Sequence, residues 1–255
     1  ANSSDADTSA EQFILPGEYR YMPVLGFNEI QVASKIAKEE DVDEMRLDLN
    51  GQKWDASWWE DKKNQLHEHH PYVLVNPVEA YQYTRNTDMT FREVCRFRKG
   101  EQLVISDSGG FQMTSRPEAN VVYDREDHSF PDDQLHPVDV LEWQVENADS
   151  GTILDMPPYA GFEGSPDDFG VDTEYDDWRT GLFEERLSRS KKNAELMHEH
   201  LETLRSEGNQ RAQDYIQLGV IQGTAAEGAN NQYESLKRWY DEISSVKDYE
   251  GWALS

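Results

Sequence analysis

Short apolar runs alternate with longer amphipathic stretches along most of this chain. The apolar runs predict strands over residues 19–26, 72–75, 103–105, 152–154 and 218–221, with a further strand beginning at 251–254. The stretches between them predict helices over residues 28–40, 52–70, 90–98, 137–147, 180–207 and 232–244. Polar or Gly/Pro-rich segments at 1–12, 116–135 and 157–177 predict a disordered acidic lead, an exposed excursion and a loop.

Strands that alternate with helices indicate βαβ units and a parallel sheet, hence an α/β fold. Short strands that are apolar throughout and end in a polar residue are typical of a (β/α)8 TIM-type barrel, where chemistry lies at the C-terminal strand ends. An open doubly wound sheet is the alternative, and it too binds ligands beyond those ends. Because five or six βα units are visible, we expect the barrel domain at 13–255 to be truncated, or completed by residues outside this chain.

The chain is strongly acidic, with 51 Asp and Glu against 24 Lys and Arg and a net charge of −27. Such a charge repels phosphates and normally argues against nucleic-acid partners. In about 1 M salt, however, the Debye length falls to roughly 3 Å and long-range repulsion nearly vanishes. We therefore interpret the acidity as an adaptation to a halophilic environment.

Two observations limit where the protein works and what can stabilise it. No run of about 18 apolar residues predicts a transmembrane helix, and the polar N-terminal residues do not resemble a signal peptide, so we expect a cytoplasmic protein without membrane partners. The single cysteine, Cys95, excludes an internal disulfide and any multi-cysteine zinc site within these residues. We expect it to be a small buried hydrophobic residue.

Three predicted strands end in polar residues that suit a purine base. Asp107, Asp155 and Gln222 each follow an apolar run, and carboxylates and an amide match the donors and acceptor on the edge of guanine. An aspartate at a strand end is more often a helix N-cap, so each residue alone is a weak signal. The run SDSGGFQ at 106–112 is more specific, because two glycines flanked by Asp, Ser, Phe and Gln have no simple turn explanation. The glycines also allow the backbone to approach a flat ligand closely.

That run resembles the Asp-Ser-Gly-Gly-Phe/Tyr-Gln motif of the queuine/archaeosine tRNA-guanine transglycosylase superfamily. Further segments resemble the family's second aspartate strand, the helix before it, its Val-Gln-Gly strand and the start of its Gly-Tyr-Ala-hydrophobic-Gly-Gly segment. These segments are ILDMP at 153–157, residues 137–147, VIQG at 220–223 and YEGWAL at 249–254. The resemblance extends from about residue 103 to the end, in the family's order.

The resemblance implies a (β/α)8 barrel that exchanges guanine in a polynucleotide for a 7-deazaguanine base, such as preQ0 or queuine, through a covalent enzyme–sugar intermediate. Asp107 would then be the general acid/base. Phe111 would stack on the base, while Asp155 and Gln222 would bind its edge. The remaining base-binding residues implied by the motifs are Ser108, Gly109, Gly110 and Gly223.

The chain also departs from the family. The family's nucleophilic aspartate and its Cys/His zinc site follow the Gly-Gly segment and have no counterpart here, so we expect no cofactor in this chain and a zinc site only beyond residue 255. The first hundred residues are divergent, which suits the DNA-modifying relatives at least as well as the tRNA enzymes. The alternative is a catalytically inactive base-binding module or non-catalytic subunit, and a homodimer stays open.

Two other clusters have less specific patterns. The histidines match no standard zinc motif, and we interpret them as solvated side chains of charged helices: His67, His69, His70, His198 and His200. A basic group precedes the 103–105 strand, where phosphate contact and a solvated helix face are equally good interpretations: Arg92, Arg96, Arg98 and Lys99. The tryptophans at 54, 58 and 59 predict a helix packing face rather than a base-stacking platform.

Overall fold

The structure is a computed structural model. It describes residues 24–25, 27–38, 55–69, 72–84, 88–97, 102–110, 120–125, 134–158, 178–223 and 232–254. Several predictions fall outside these residues: the lead at 1–12, Trp54, His70, Arg98, Lys99, Phe111 and the side chains of His67 and His69.

The described ranges contain eight strands and eight helices. The strands are β1 (Val24–Leu25), β2 (Tyr72–Val75), β3 (Leu103–Ser106), β4 (Asn120–Val121), β5 (Gln134–Leu135), β6 (Ser150–Thr152), β7 (Ile216–Ile221) and β8 (Trp252–Leu254). The helices are α1 (Phe27–Ala37), α2 (Ala56–His69), α3 (Pro77–Thr84), α4 (Phe91–Cys95), α5 (Pro137–Asn147), α6 (Trp178–Ser206), α7 (Gln210–Asp214) and α8 (Gln232–Ser244).

Six strands form one parallel sheet in the order β1-β2-β3-β6-β7-β8. Their order in space is their order along the chain, so each connection leads to the adjacent strand. Such a singly wound sheet is the arrangement of a barrel, whereas a doubly wound sheet reverses direction at a switch point. The α/β prediction is confirmed, and the described strands form a curled half-barrel; eight-stranded closure stays a prediction.

The hydrophobic core has two parts, one under each half of the sheet. Helices α1 to α4 pack under β1 to β3, where the ring centroids of the buried Trp59 and Phe97 are 6.4 Å apart. Trp58 and Trp59 therefore serve packing, as their spacing predicts. Cys95 is fully buried in the same cluster, and burial raises the pKa of its thiol. The second cluster joins α5, α6 and α8 to β7 and to the segment after β6 through residues such as Trp239.

Helices α5 and α8 have the predicted bounds, whereas β6 does not. It spans Ser150–Thr152, so its ladder ends before the predicted strand 152–154 does. The reason lies in α6, whose Asn193 and Met197 side chains bond to the backbone of Leu154 in place of a neighbouring strand. An apolar sequence therefore continues past the point where sheet pairing stops.

The predicted excursion at 116–135 contains paired structure. Strands β4 and β5 lie parallel, with Val121 opposite Leu135. Both side chains are buried in the second core cluster, which ties this segment to α5 and α6. The short helix α7 was not predicted; it begins after Asn209, whose side chain accepts a hydrogen bond from the Ala212 backbone and caps the helix.

The two described arginines of the basic cluster before β3 differ in their contacts. Arg92 donates to the Gln102 carbonyl oxygen and pairs with Asp149 just before β6. Arg96 has left-handed backbone angles at the end of α4 and lies 3.7 Å from Glu60. These contacts favour a structural role for Arg92, whereas Arg96 is exposed and both interpretations of it stay open. Among the described helices, none combines the length and apolarity needed to cross a membrane.

Candidate functional site

Polar side chains follow four neighbouring strands of the half-barrel. Asn76 follows β2, Asp107 follows β3, Asp155 comes three residues after β6, and Gln222 follows β7. Because the strands are parallel and adjacent, these residues lie along the same edge of the sheet. The structure thus brings together the three residues that the strand-end pattern singles out, and it adds Asn76.

Asp155 is the most deeply buried of these groups, at 3% exposure. Its carboxylate accepts hydrogen bonds from the Gln222 side-chain amide and from the Ser108 hydroxyl. Burial raises the pKa of Asp155 to about 6; the two donors oppose that rise, and the charge of Asp107 adds to it. The carboxylate is therefore mainly ionised at neutral pH while retaining little contact with water.

Asp107 is half-buried beside it. Its backbone N–H donates to the Val75 carbonyl oxygen over 2.8 Å, which continues the pairing of β2 with β3. Burial raises the pKa of its carboxyl, while the backbone N–H groups of Ser108 and Gly109 and the side-chain amide of Asn76 donate to it and oppose the rise. A half-buried, hydrogen-bonded carboxyl of this kind is suited to exchange a proton with a ligand.

The two glycines let the β3 exit pack tightly. Gly109 has φ of +77°, the left-handed region that favours glycine, and a Cβ there would lie 2.7 Å from Val78 Cγ2. A Cβ at Gly110 would meet the backbone oxygen of Asp155. The Gly110 N–H also donates to the Ser108 Oγ over 3.0 Å. Gly109 thus lets the β3 exit pack against the start of α3, and Gly110 lets it pack against the segment after β6, whatever ligand approaches them.

Helix α6 fixes the backbone on both sides of Asp155. The Leu154 N–H donates to Met197 Sδ, and the Asn193 amide donates to the Leu154 carbonyl oxygen over 2.9 Å. The Met156 N–H donates to Ser190 Oγ over 2.8 Å. Because these three side chains lie on one stripe of the helix, the segment runs along α6 in the opposite direction. The position of the Asp155 carboxylate is therefore set by a rigid element.

A second set of buried polar groups positions Asp107. The Gln144 side-chain amide on α5 donates to the carbonyl oxygens of Asp107 and Thr152, over 3.2 and 3.0 Å. The Gln144 side-chain oxygen accepts from the Tyr215 hydroxyl over 2.9 Å. A Cβ at Gly151 would lie 2.6 Å from that hydroxyl. Gln144 thus joins the exits of β3 and β6, in addition to the close contact between Gly110 and Asp155.

Sequence patterns missed four of the residues that build this site. Asn76 had the same signal as the others, a polar residue directly after an apolar run. Gln144, Ser190 and Asn193 are fully buried on the inner stripes of α5 and α6. Their signal is a polar residue at an apolar helical position, which becomes informative only once the neighbouring strand ends are known.

The remaining predicted residues make fewer contacts or lie elsewhere. Gly223 follows Gln222 at the same edge and is half-buried, whereas Phe111 lies outside the described residues. His200 bonds to Glu142 across α5 and α6. No group of histidine, cysteine and acidic residues in the described ranges has the arrangement of a metal site.

Comparison with known proteins identifies no family for this chain. No protein-family model matches the chain, and the curated proteins contain no match to it. The resemblance to the transglycosylases therefore depends on the motifs and on the arrangement of the residues that they contain.

Proposed function

We propose that this chain binds and exchanges guanine, as a transglycosylase that replaces guanine in a polynucleotide with a 7-deazaguanine base. The observation that carries the proposal is the bonded set at the strand ends. Asp107, Ser108, Asp155 and Gln222 come from three strand exits and form one hydrogen-bonded group around two carboxylates with raised pKa.

The set matches the edge of guanine in both charge and donor pattern. An ionised Asp155 accepts hydrogen bonds from the N1–H and the exocyclic amine of the base. Gln222 uses one amide hydrogen on Asp155, which leaves its second hydrogen for the O6 acceptor. A base without this edge would leave buried polar groups unpaired, which gives strong discrimination. A 7-deazaguanine keeps the same edge and would be accepted.

Asp107 supplies the proton transfer in this proposal. When the glycosidic bond breaks, the departing guanine gains a proton, and the incoming base loses the proton of the nitrogen that bonds to the sugar. A half-buried carboxyl with a raised pKa can donate the first proton and accept the second. The net proton balance of the exchange is then zero.

The covalent route also needs an enzyme nucleophile that attacks the sugar. The bonded set contains two carboxylates, and both are assigned to the base and its protons. This observation favours a second candidate, a base-binding module that holds the base without turnover or serves as a non-catalytic subunit. The divergent first hundred residues slightly favour DNA over tRNA as the polymer.

One experiment separates these candidates. The chain is incubated in molar salt with labelled guanine and either DNA or tRNA, and both base binding and incorporation are measured for the wild type and Asp107→Asn. Asp241→Asn, on an exposed face of α8, is the matched control. We expect the wild type and the control to incorporate guanine, and Asp107→Asn to bind it without incorporation.

Each other outcome has a defined meaning. Binding without incorporation into either polymer by the wild type supports the module. Incorporation by Asp107→Asn at the normal rate shows that the proton-transfer role is wrong. A wild type that binds neither guanine nor a 7-deazaguanine overturns the proposal.

A further inference from the structure

Arg186 occupies the next position on the α6 stripe that holds the Asp155 segment. Met197, Asn193 and Ser190 bond to that segment in turn, and Arg186 lies four residues before Ser190 on the same face. The chain from Leu154 to Met156 runs toward the N-terminus of α6. Arg186 is therefore one turn further along, on the side to which the segment leads after Asp155.

The position of Arg186 along α6 can be matched to a residue after Asp155 by comparing the rise per residue of the helix with that of the extended segment. One turn of four residues along α6 covers about 6 Å, and two extended residues cover about 6.6 Å. Two residues beyond Met156 is Pro158, so Arg186 stands roughly level with Pro158. The Arg186 position on α6 thus lies past that of Asp155, on the side to which the segment leads.

Arg186 is buried with few partners. The residue is 8% exposed, and its ion-pair contact within the described part of the chain is Glu185 Oε2 at 3.4 Å. Burial lowers the pKa of Arg186, and the neighbouring Arg189 also opposes its charge. A guanidinium has five N–H donors in a planar fork, and the contact with Glu185 is made by Nε, which leaves the terminal N–H groups without a protein acceptor among the described residues.

The local charge suits an anion. Glu185 is shared by Arg186 and Arg189, so the three residues together carry a net charge of +1 in a chain whose net charge is −27. Other arginines of the described ranges are used differently: Arg238 pairs with Glu184, and Arg205 donates to the Ala212 and Tyr215 carbonyl oxygens. Within the described ranges, Arg186 therefore has N–H donors that a ligand could use.

We infer that Arg186, supported by Arg189, binds a phosphate of the polynucleotide. This inference rests on the proposed function, because it uses the base site to locate the polymer. If the guanine edge lies against Asp155 and Gln222, its sugar and phosphates extend away from the sheet, toward the level of Arg186. A planar guanidinium binds two phosphate oxygens at once, and such contacts position a polymer without reading its sequence.

The test compares Arg186→Gln and Arg186→Lys with the wild type, with Arg238→Gln as the control for loss of an arginine at a neighbouring surface. A fluorescent guanine-containing oligonucleotide is titrated at several KCl concentrations, and free guanine is titrated separately. We expect Arg186→Gln to lower oligonucleotide affinity on the order of tenfold and to reduce the slope of log K against log salt by about one. Arg186→Lys should retain part of the affinity, and guanine binding should not change.

The outcomes separate this inference from the function on which it rests. If Arg186→Gln keeps the wild-type affinity and slope, the phosphate role is wrong, and a lowered melting temperature would then show a structural role. A wild type that binds guanine but no oligonucleotide also overturns the inference and leaves base binding intact. If the wild type binds the oligonucleotide through Arg186 but binds no guanine, the phosphate subsite is supported and base exchange is overturned.

Discussion

A Cβ placed on Gly110 would lie 1.9 Å from the backbone oxygen of Asp155 and 3.0 Å from its backbone carbon. No side chain fits there unless the segment after β6 moves. The same glycine donates its N–H to Ser108 Oγ, and that hydroxyl donates to the Asp155 carboxylate. The backbone contact and the side-chain bonds thus fix the same two strand exits relative to each other.

Gly110→Ala should therefore abolish guanine binding, because it displaces the backbone that carries Asp155 and separates Ser108 from it. The stability cost should exceed the roughly 1 kcal/mol of a glycine-to-alanine change that is limited to backbone strain. Calorimetric titration with guanine and urea unfolding in molar salt would measure the two effects.

Gly208→Ala is the matched control for this change. Gly208 has φ of +82° and no atom within 4 Å of the position of an added Cβ. It should lose about 1 kcal/mol through backbone strain alone and bind guanine normally. Equal stability losses in the two variants, with guanine binding retained in both, would contradict the packing role of Gly110.

Tyr215→Phe should destabilise the fold by about 1–3 kcal/mol, because it leaves the Gln144 side-chain oxygen buried without its donor. Both side chains are almost completely inaccessible to water. Tyr240→Phe, which removes a hydroxyl from a residue that is 42% exposed, should change stability little. Urea unfolding of both variants tests this expectation. Equal stability of the two would show that the hydrogen bond between Tyr215 and Gln144 contributes nothing measurable to stability.

Sequence patterns predict the strands and helices of this fold better than the points where these elements end and bond to one another. The apolar runs locate β2, β3 and β7, whose residues are all buried or half-buried, and the periodicity of α5 and α8 gives their bounds. The end of β6 was missed because α6, distant in sequence, takes over its backbone bonds at Leu154. Hydrophobicity records burial, and it does not record which partner a backbone group has.

The same limit applies to the site. Asp107, Asp155 and Gln222 could be predicted because each follows an apolar strand, and parallel strands place such residues on one edge. Gln144 and Asn193 could not be predicted, because a buried amide on a helix becomes meaningful only when the strand end that it contacts is known. The role of Phe111 stays a prediction.

Asn76 caps helix α3 and donates a hydrogen bond to Asp107, and two substitutions separate these roles. Its side-chain oxygen accepts from the N–H groups of Val78 and Glu79 at the start of α3, and its amide donates to Asp107. Asn76→Ala should lose both, at a cost of about 1 kcal/mol. Asn76→Asp keeps the capping oxygen but replaces the amide donor by a second negative charge, so the pKa of Asp107 should rise further.

Carbon-13 NMR titration of the aspartate carboxyls would measure this shift. The control is Thr90→Ala, which removes the cap of α4 without touching the site. It should lower stability to a similar extent and leave the titration of Asp107 unchanged. An Asp107 titration that is the same in Asn76→Asp and the wild type would show that the 3.4 Å contact carries no electrostatic weight.

As the pH rises and Asp155 ionises, the folded protein should become less stable and guanine binding should become stronger. Burial raises its pKa from 3.8 to about 6, so between these values the folded protein holds a proton that the unfolded chain has lost. Stability should fall as the pH rises from about 4 to about 6, by a total on the order of 3 kcal/mol. Guanine binding should strengthen over the same range, because the ionised carboxylate accepts the hydrogen bonds of the base.

Asp155→Asn should remove most of this stability slope and weaken guanine binding at neutral pH, where its amide cannot accept both donors. Gln222→Met keeps the length of the side chain but removes the donor that lowers the pKa of Asp155, so the midpoint of guanine binding should move to higher pH. Gln210→Met, at an exposed position of α7, is the control and should keep the wild-type midpoint. Urea unfolding and guanine titration at several pH values measure both effects. A midpoint that is the same in Gln222→Met and the control would mean that the Gln222 amide does not set the ionisation of Asp155.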